Sequence, residues 1–404
     1  MPSLVFLALA VALLPWTVGG SSVACGLLLL SCAPHIGGLR RWKRHPLFNA
    51  TLFFWLAQSL GYFLSEDREL GWKYATTFWP IFFIFIAQAV TRRQGKVLLL
   101  GIIFLTSAAF AAFYSTGLSL GWWADGVESR RASGTLIPFM FSSLMLIALF
   151  SILDLGVRSF QRHWLFLFAL PLFFFALIGE GSRLIILGFI GALFFFLLFL
   201  PAKGKRKSAF LILVGFTLPI AAFVPESALG QRIEHALTGS DFAPSASLGQ
   251  RASLWKAAEI LFLESPILGC GIGDFKLDSH RLYESHEWFE GRVRPGQRHH
   301  HAHNLYFHRL CTQGLLGMGA FAWWMFTLFC ILWKGIPFTG VWGRSGVLGF
   351  VILLSMGVGD IMFKSHYLLG PCLLAGIALG LEQRLGKQKD TADGAGERSI
   401  EQGQ

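Results

Sequence analysis

Residues 182–200 read Ser-Arg-Leu-Ile-Ile-Leu-Gly-Phe-Ile-Gly-Ala-Leu-Phe-Phe-Phe-Leu-Leu-Phe-Leu, and from Leu184 onward the stretch contains no charged side chain. An apolar helix of about 20 residues is long enough to cross the hydrocarbon core of a bilayer. Similar stretches occur near 3–19, 20–35, 46–64, 72–91, 96–118, 135–154, 163–179, 208–225, 307–333, 341–360 and 366–382. The sequence therefore predicts an all-α polytopic integral membrane protein with about twelve transmembrane helices.

The composition of the chain supports this class. Of its 404 residues 54% are hydrophobic and only 14% are charged, with 40 Phe and 14 Trp, which is more than a soluble domain carries. The net charge of +11 would suggest a nucleic-acid partner in a soluble protein. Here the Lys and Arg residues lie in short clusters between apolar runs, so they report topology and no nucleic acid is expected. The six cysteines show no paired metal spacing, and only Cys270 and Cys311 could meet on the outer side.

Basic clusters mark every second connection between the apolar runs. Examples are Arg40 to Arg44, Arg92 to Lys96 and Lys203 to Lys207. By the positive-inside rule these connections and both termini are cytoplasmic, and the other connections face outward. We therefore expect a multi-pass protein of the bacterial inner (cytoplasmic) membrane, whose outer side is the periplasm in a Gram-negative host.

One outer connection is much longer than the others. Residues 226–306 form a predicted periplasmic loop of about eighty residues, too long for a simple link between spans. It contains an amphipathic helix from Ser247 to Ser265 and then a glycine-rich turn from Leu268 to Phe275. The predicted organisation is transmembrane helices 1–9 in 1–225, the large loop with amphipathic helices in 226–306, transmembrane helices 10–12 in 307–382, and a cytoplasmic tail in 383–404. The tail is polar with hardly an aromatic residue, which predicts disorder.

Five histidines crowd the point where this loop meets an apolar helix, in the stretch Arg298-His-His-His-Ala-His303-Asn-Leu-Tyr-Phe-His308. Imidazole titrates near neutral pH, so His303 at a water–membrane boundary is a candidate general base. Clustered histidines are also often simply solvated or metal-scavenging. Their spacing does not separate these two interpretations.

Two arginines are candidates for binding an anion, because a buried charge beside a span is kept only where something compensates it. Arg183 stands at the head of the quoted stretch, where it either binds an anion or anchors the helix by snorkelling or by pairing with Glu180. Arg251 is predicted to open the loop helix, where the helix dipole disfavours a cation and an anionic partner would relieve it. The alternative for Arg251 is an ordinary exposed arginine.

Further charged residues lie on the predicted outer side. Arg130 and Arg131 form a third basic site, in which adjacent side chains point in different directions, so at most one faces a ligand. Asp360 and Lys364 lie at the outer end of the eleventh span, and we expect them to form an ion pair with each other.

Three segments resemble, in order, the motifs of the O-antigen ligase family. They are Ser182-Arg183 at the head of a span, Arg251 to Trp255 with the glycine turn through Phe275, and His303-Asn304 followed by Gly314 and Gly317. The layout of spans with one large outer loop is also similar to this family.

The resemblance implies an inverting, metal-independent glycosyltransferase that needs no cofactor. It would move a glycan from an undecaprenyl-pyrophosphate donor to a lipid A-core acceptor on the periplasmic face, in lipopolysaccharide biosynthesis. Carried onto this chain, His303 would be the base and Arg183 and Arg251 would hold the pyrophosphate; Asn304 and the Arg130/Arg131 pair are further substrate-binding candidates. The remaining expected partners are membrane lipids. The chain has no D-x-D pair for a divalent metal, which favours arginines for neutralising the leaving group.

Alternatives stay open at this point. The same superfamily includes O-antigen polymerases and protein O-oligosaccharyltransferases, so the motifs indicate the chemistry better than the acceptor. A different class is a non-catalytic membrane transporter, which would usually show two matching halves with broken helices and charges near mid-membrane. The sequence shows neither pattern.

Overall fold

The computed structural model describes residues 2–32, 45–122, 136–158, 164–199, 234, 247–290, 292–293 and 299–401. All regular structure in these residues is helical, without a strand. The α-helices are α1 (Pro2–Leu13), α2 (Val18–Cys32), α3 (Pro46–Leu64), α4 (Arg68–Thr76), α5 (Phe82–Gln94), α6 (Val97–Ser119), α7 (Pro138–Arg158), α8 (Leu170–Glu180), α9 (Leu184–Phe199), α10 (Ser247–Glu264), α11 (Phe275–Ser285), α12 (Leu305–Thr339), α13 (Val341–Met356) and α14 (Ser365–Glu401). The predicted all-α class is therefore confirmed.

Six helical segments are long and apolar enough, by length and composition, to cross a membrane. They are Pro46–Leu64, Arg68–Gln94, Val97–Ser119, Pro138–Val157, Leu305–Pro337 and Ser365–Gly386. Five shorter apolar helices, Pro2–Leu13, Val18–Cys32, Leu167–Glu180, Leu184–Leu198 and Val341–Met356, lie at other predicted spans. The remaining predicted span, 208–225, lies outside the described residues, so the count of twelve stays a prediction.

Close approach of small residues holds the last helix against the bundle. A Cβ atom on Gly376 of α14 would lie 2.4 Å from the Ile84 carbonyl oxygen of α5, and one on Gly380 would lie 2.5 Å from the Gln88 carbonyl oxygen. Two helices can come this near only where a glycine faces the partner backbone, which is a common way to pack helices in lipid. This contact holds α14 against α5; Lys364 directly precedes α14 and His366 lies in its first turn.

Helix α12 is broken near its beginning. Gly314 has φ 61° and ψ −163°, so the helical hydrogen bonds are interrupted there. The glycine-rich turn that follows α10 fills the break with four backbone hydrogen bonds: Cys270 N to Cys311 O (2.9 Å), Gly271 N to Thr312 O (3.1 Å), Leu315 N to Pro266 O (2.8 Å) and Leu316 N to Ile267 O (3.1 Å). Backbone groups freed by a break in a membrane helix need such partners, so the loop and α12 complete each other.

The glycines of this junction are required by space as well as by backbone angle. Gly269 has φ 75°, and a Cβ atom there would lie 2.3 Å from the backbone nitrogen of Gln313. A Cβ atom on Gly314 would lie 2.3 Å from the backbone carbonyl carbon of Ile267. The glycine-rich segment is thus a tight turn, as its sequence predicted.

The same turn is also fastened to the end of α3. The carboxylate of Asp274 accepts hydrogen bonds from the backbone N–H groups of Glu66 and Asp67, both at 2.9 Å. Gly273 N donates to Ser65 Oγ at 3.0 Å. The loop helix α10 is therefore held against two membrane helices, which fixes the position of Arg251.

Three details differ from expectation or refine it. Helix α10 spans Ser247–Glu264, as predicted, but Arg251 then lies in its second turn and not at its opening, which weakens the dipole argument. Helix α14 continues through the polar tail to Glu401, where composition predicted disorder after residue 382. A helix that packing has already nucleated can extend without a second nucleation step. Cys270 and Cys311 lie side by side as free thiols.

Candidate functional site

Two histidines and one carboxylate meet where the loop enters α12. Asp360 Oδ1 lies 3.4 Å from His303 Nδ1 and 3.6 Å from His301 Nε2. The two imidazole rings are 4.3 Å apart between centroids. The expected ion pair of Asp360 with Lys364 is not formed within 4.0 Å, because the carboxylate faces the histidines. Asp360 is the site residue that the sequence reasoning left out, although a charge at the end of a span was a signal for it.

The backbone around His303 is held in an unusual conformation. His303 has φ 47°, the one positive φ outside glycine in the described part of the chain. The next residue caps α12: Asn304 Oδ1 accepts from Tyr306 N (2.9 Å) and Phe307 N (3.0 Å). Asn304 Nδ2 donates to Val358 O at 2.8 Å, which ties the cap to the segment before Asp360. The structure thus gives Asn304 a positioning role, while the substrate contact expected for it stays a prediction.

Arg183 lies in the tight turn between α8 and α9. Gly181 has φ 71°, and the buried carboxylate of Glu180 accepts from Ser182 N at 3.0 Å and from the Ser142 hydroxyl at 2.9 Å. Ser182 Oγ in turn accepts from Leu184 N at 3.3 Å, as a helix cap does. Arg183 therefore stands at the N-terminus of α9, where the helix dipole favours an anion.

Arg251 reaches the same place from the loop. Its Nη1 atom lies 3.5 Å from the position that a Cβ atom on Gly359 would occupy, next to Asp360. Burial lowers the pKa of Arg251, Asp360 raises it, and Arg183 lowers it, so the two guanidinium groups are near enough to repel each other. The structure thus brings together three of the predicted site residues, His303, Arg183 and Arg251, and adds Asp360.

The charges at the site follow from burial and contact. Burial lowers the pKa of His301 to about 4, so this imidazole is neutral at pH 7. Burial alone would raise the pKa of Asp360, but the contacts with His301 and His303 hold it below its usual value, so the carboxylate is ionised. His303 Nδ1 faces this carboxylate, which favours the tautomer with its hydrogen on Nδ1 and the lone pair on Nε2.

The same three side chains could also hold a metal ion. Among the described residues, His301, His303 and Asp360 offer ligand atoms that lie within 4.8 Å of one another. Two imidazoles and a carboxylate are ligands that transition metals accept. The remaining predicted site residues, Arg130 and Arg131, lie outside the described residues.

Part of the chain matches a known protein family. Residues 165–322 match the family model described as O-antigen ligase. The matched segment contains Arg183, Arg251 and His303, and it ends before Asp360. No curated protein matches the chain. The match over residues 165–322, which include the two arginines and the histidine that the fold brings together, supports the O-antigen ligase family for this chain.

Proposed function

We propose that the protein is an O-antigen ligase, which transfers a glycan from undecaprenyl pyrophosphate to lipid A-core at the periplasmic face of the inner membrane. One observation carries the proposal. The His303 imidazole faces the Asp360 carboxylate, and Arg251 lies near both Asp360 and Arg183, at one end of a bundle of apolar helices. Together these groups supply a base and an anion clamp, which are the two requirements of transfer from a pyrophosphate donor.

His303 is the general base of the proposed reaction. Its Nε2 takes the proton from the acceptor hydroxyl while the oxygen attacks the anomeric carbon from the face opposite the pyrophosphate. Asp360 holds the ring by Nδ1 and stabilises the imidazolium that forms. The bond from the anomeric carbon to the phosphate oxygen breaks, its electron pair leaves with the pyrophosphate, and the configuration is inverted.

Arg183 and Arg251 neutralise the leaving group. The pyrophosphate gains negative charge as its bond to the sugar breaks, and a guanidinium fork can bind two phosphate oxygens at once. Two arginines near each other are costly without an anion between them, and the N-terminus of α9 adds its dipole. This arrangement needs no divalent metal for the leaving group.

A lipid-linked donor suits the position of the site. The site lies where polar loop segments meet apolar helices, so a polyprenyl tail can stay among the Phe- and Leu-rich helices. Exposed apolar side chains on the bundle, such as Phe194 at 67% and Leu98 at 73%, are expected to face lipid. The sugar then lies under the loop, within reach of His303.

Deletion of the gene in its host tests the proposed function. Lipopolysaccharide on a gel should lose its ladder, and lipid-linked polymer of full length should accumulate. Retained core that carries a single repeat unit would indicate a polymerase, and an unchanged ladder with loss of protein glycosylation would indicate an oligosaccharyltransferase. An unchanged envelope with impaired uptake or export of a polar solute would point to a transporter.

The role of His303 separates a base from a metal ligand. His303→Gln should lower transfer by about 10²- to 10⁴-fold, the usual contribution of a general base, in purified enzyme with intact protein level. Activity should survive EDTA, and His301→Gln should cost much less than His303→Gln. Chelator-sensitive turnover with comparable losses at His301, His303 and Asp360 would replace the metal-free mechanism by a metal site.

A further inference from the structure

A cavity of about 530 Å³ lies beside the histidines. Its wall includes His300 and His301 from the loop, and Lys73, Lys364 and His366 from the helix ends. The two arginines of the proposed donor site are not part of this wall. The volume is in the range of sites that hold a small ligand or one or two sugar units.

The cavity has an excess of positive charge. Among the described residues, no carboxylate lies within 4.0 Å of the ammonium group of Lys73 or Lys364. Burial lowers the pKa of Lys364, Asp360 raises it, and Lys73 lowers it, so the two lysines act on each other across the cavity. The charge of Asp360 is already engaged by the two histidines. An anion in the cavity would relieve this repulsion.

A histidine in the cavity wall has a ring nitrogen without a hydrogen-bond partner. His366 Nε2 is buried and has no partner in the structure, although it belongs to the cavity wall. Buried polar atoms without a hydrogen-bond partner are uncommon in folded proteins, and a bound ion is one explanation for such an atom. The Tyr74 hydroxyl, also in the wall, donates to the His300 carbonyl at 3.1 Å and fixes the loop at the rim.

We infer that this cavity is an acceptor subsite, which binds a phosphate or carboxylate group carried by the sugar that receives the glycan, through Lys73, Lys364 and His366. The inference rests on the proposed function and names the chemistry of the acceptor. Two groups of cations flank Asp360: the arginines on one part of the site and the lysines on another. In the proposed reaction the arginines bind the leaving pyrophosphate. The cavity is lined by His301, which lies against the base His303, so it is the place for the acceptor that carries the nucleophilic hydroxyl.

The test compares Lys73→Gln/Lys364→Gln with the wild-type protein in uncharged detergent. The acceptor is phosphorylated lipid A-core or the same acceptor after phosphatase treatment. For the phosphorylated acceptor the double variant should raise KM by about 10- to 100-fold, the loss expected for charge-assisted contacts, with kcat and donor KM nearly unchanged. For the treated acceptor the two proteins should be alike. Lys334→Gln, an exposed lysine near the other end of α12, is the matched control and should behave as wild type.

A binding measurement keeps the subsite testable apart from transfer. Phosphorylated core oligosaccharide without its lipid should raise the melting temperature of the wild-type protein and not that of the double variant. Transfer that is equal in variant and wild type, or an equal loss with both acceptors, would overturn the subsite. A KM effect seen only in vesicles with anionic lipid would assign the cavity to a lipid headgroup and also overturn it. If wild type binds the oligosaccharide but transfers nothing, the proposed ligase function fails and the subsite stands.

Discussion

The backbone conformation of His303 is unusual and is held by its neighbours. Its φ of 47° is a left-handed conformation that costs a non-glycine residue on the order of 1 kcal/mol. The cap made by Asn304 and the hydrogen bond from Leu305 N to Gly357 O, 2.7 Å long, hold it there. The conformation turns the ring toward Asp360, and 31% of the side chain stays exposed for a substrate. Backbone strain of this kind is concentrated at functional sites.

The two arginines can be tested by chemistry and not only by loss. Arg183→Lys and Arg251→Lys should be nearly as damaging as the alanine variants, because lysine keeps the charge but loses the planar fork. Each should cost about 2–4 kcal/mol of transition-state stabilisation, or roughly thirty- to a thousandfold in transfer rate. Arg281→Lys is the matched control, since Arg281 is an exposed loop arginine that pairs with Glu264 at 2.9 Å.

Transfer assays on purified protein, with membrane levels measured in parallel, decide the question. Normal transfer by Arg183→Lys, or alanine variants that fail only because the protein is absent from the membrane, would favour helix anchoring. The pyrophosphate clamp would then have to be sought at Arg130 and Arg131.

The stability of the folded protein should fall as the solution becomes acidic, because of His301. The pKa of this buried imidazole is lowered to about 4 from 6.5, so the unfolded chain binds its proton more readily than the folded one. The stabilisation is complete above pH 6.5 and is lost as pH falls toward 4. Between pH 7 and 5.5 the loss is about 1 kcal/mol.

Melting temperatures in detergent over this pH range check the effect. His301→Gln should flatten the pH dependence, whereas His286→Gln, at an exposed position of the same loop, should leave it unchanged. An equally steep pH dependence in His301→Gln would show that other groups are responsible.

At the scale of elements, the junction of the loop with the broken helix α12 matters most. The break at Gly314 leaves backbone groups that the turn at 266–271 satisfies, and the same turn is fastened to α3 by Asp274. Helix α10, which carries Arg251, and the start of α12, which follows His303, are thereby held in one arrangement. Interior helix breaks are tolerated only where such partners exist.

Gly314→Ala should disrupt this junction. Alanine is strained at φ 61°, and its Cβ atom would meet the backbone of Ile267 at 2.3 Å, so we expect a loss of about 2–4 kcal/mol. Gly319→Ala lies in the same helix with nothing within 4 Å, and should be neutral or stabilise by up to about 1 kcal/mol.

Thermal unfolding and limited proteolysis of the loop provide the measurement. Gly314→Ala should melt earlier and be cut faster within 247–290, with reduced transfer. Equal behaviour of the two alanine variants would mean that the loop does not depend on the break.

At the scale of the whole molecule, contacts sort the helix ends into two groups. Arg384 of α14 donates to the Arg93 carbonyl of α5 at 3.1 Å, and Arg344 of α13 donates to the buried Asp154 of α7 at 2.8 Å. These four helix ends therefore meet in two pairs. The candidate site lies at the opposite ends of these helices, where Asp360 and the loop meet. This separation agrees with the charge alternation of the sequence and supports an outward-facing site.

Cysteine labelling tests that orientation in cells. In a variant without the six native cysteines, Glu284→Cys in the loop should react with an impermeant reagent once the outer membrane is permeabilised; the Glu284 side chain is 68% exposed. Lys334→Cys should react only after the inner membrane is lysed. The reverse pattern would place the donor sugar in the wrong compartment and end the ligase proposal.

The sequence by itself determined the class of the protein, the positions of the described apolar helices, the loop helix at 247–264 and the tight glycine turn. These features depend on local hydropathy, charge and turn chemistry, which can be read along the chain. The sequence also indicated His303, Arg183 and Arg251 as site residues, because ionisable groups at the ends of membrane spans cost free energy and usually have a function.

Only the tertiary structure decided which of these groups act together. Asp360 was expected to pair with Lys364 four residues away, yet the packing of α12 and α13 turns it toward His301 and His303. In the same packing Lys364 and Lys73 line one cavity and repel each other. The Asn304 side chain caps α12. Contacts between residues far apart in sequence depend on how the helices cross, and a hydropathy pattern does not contain that information.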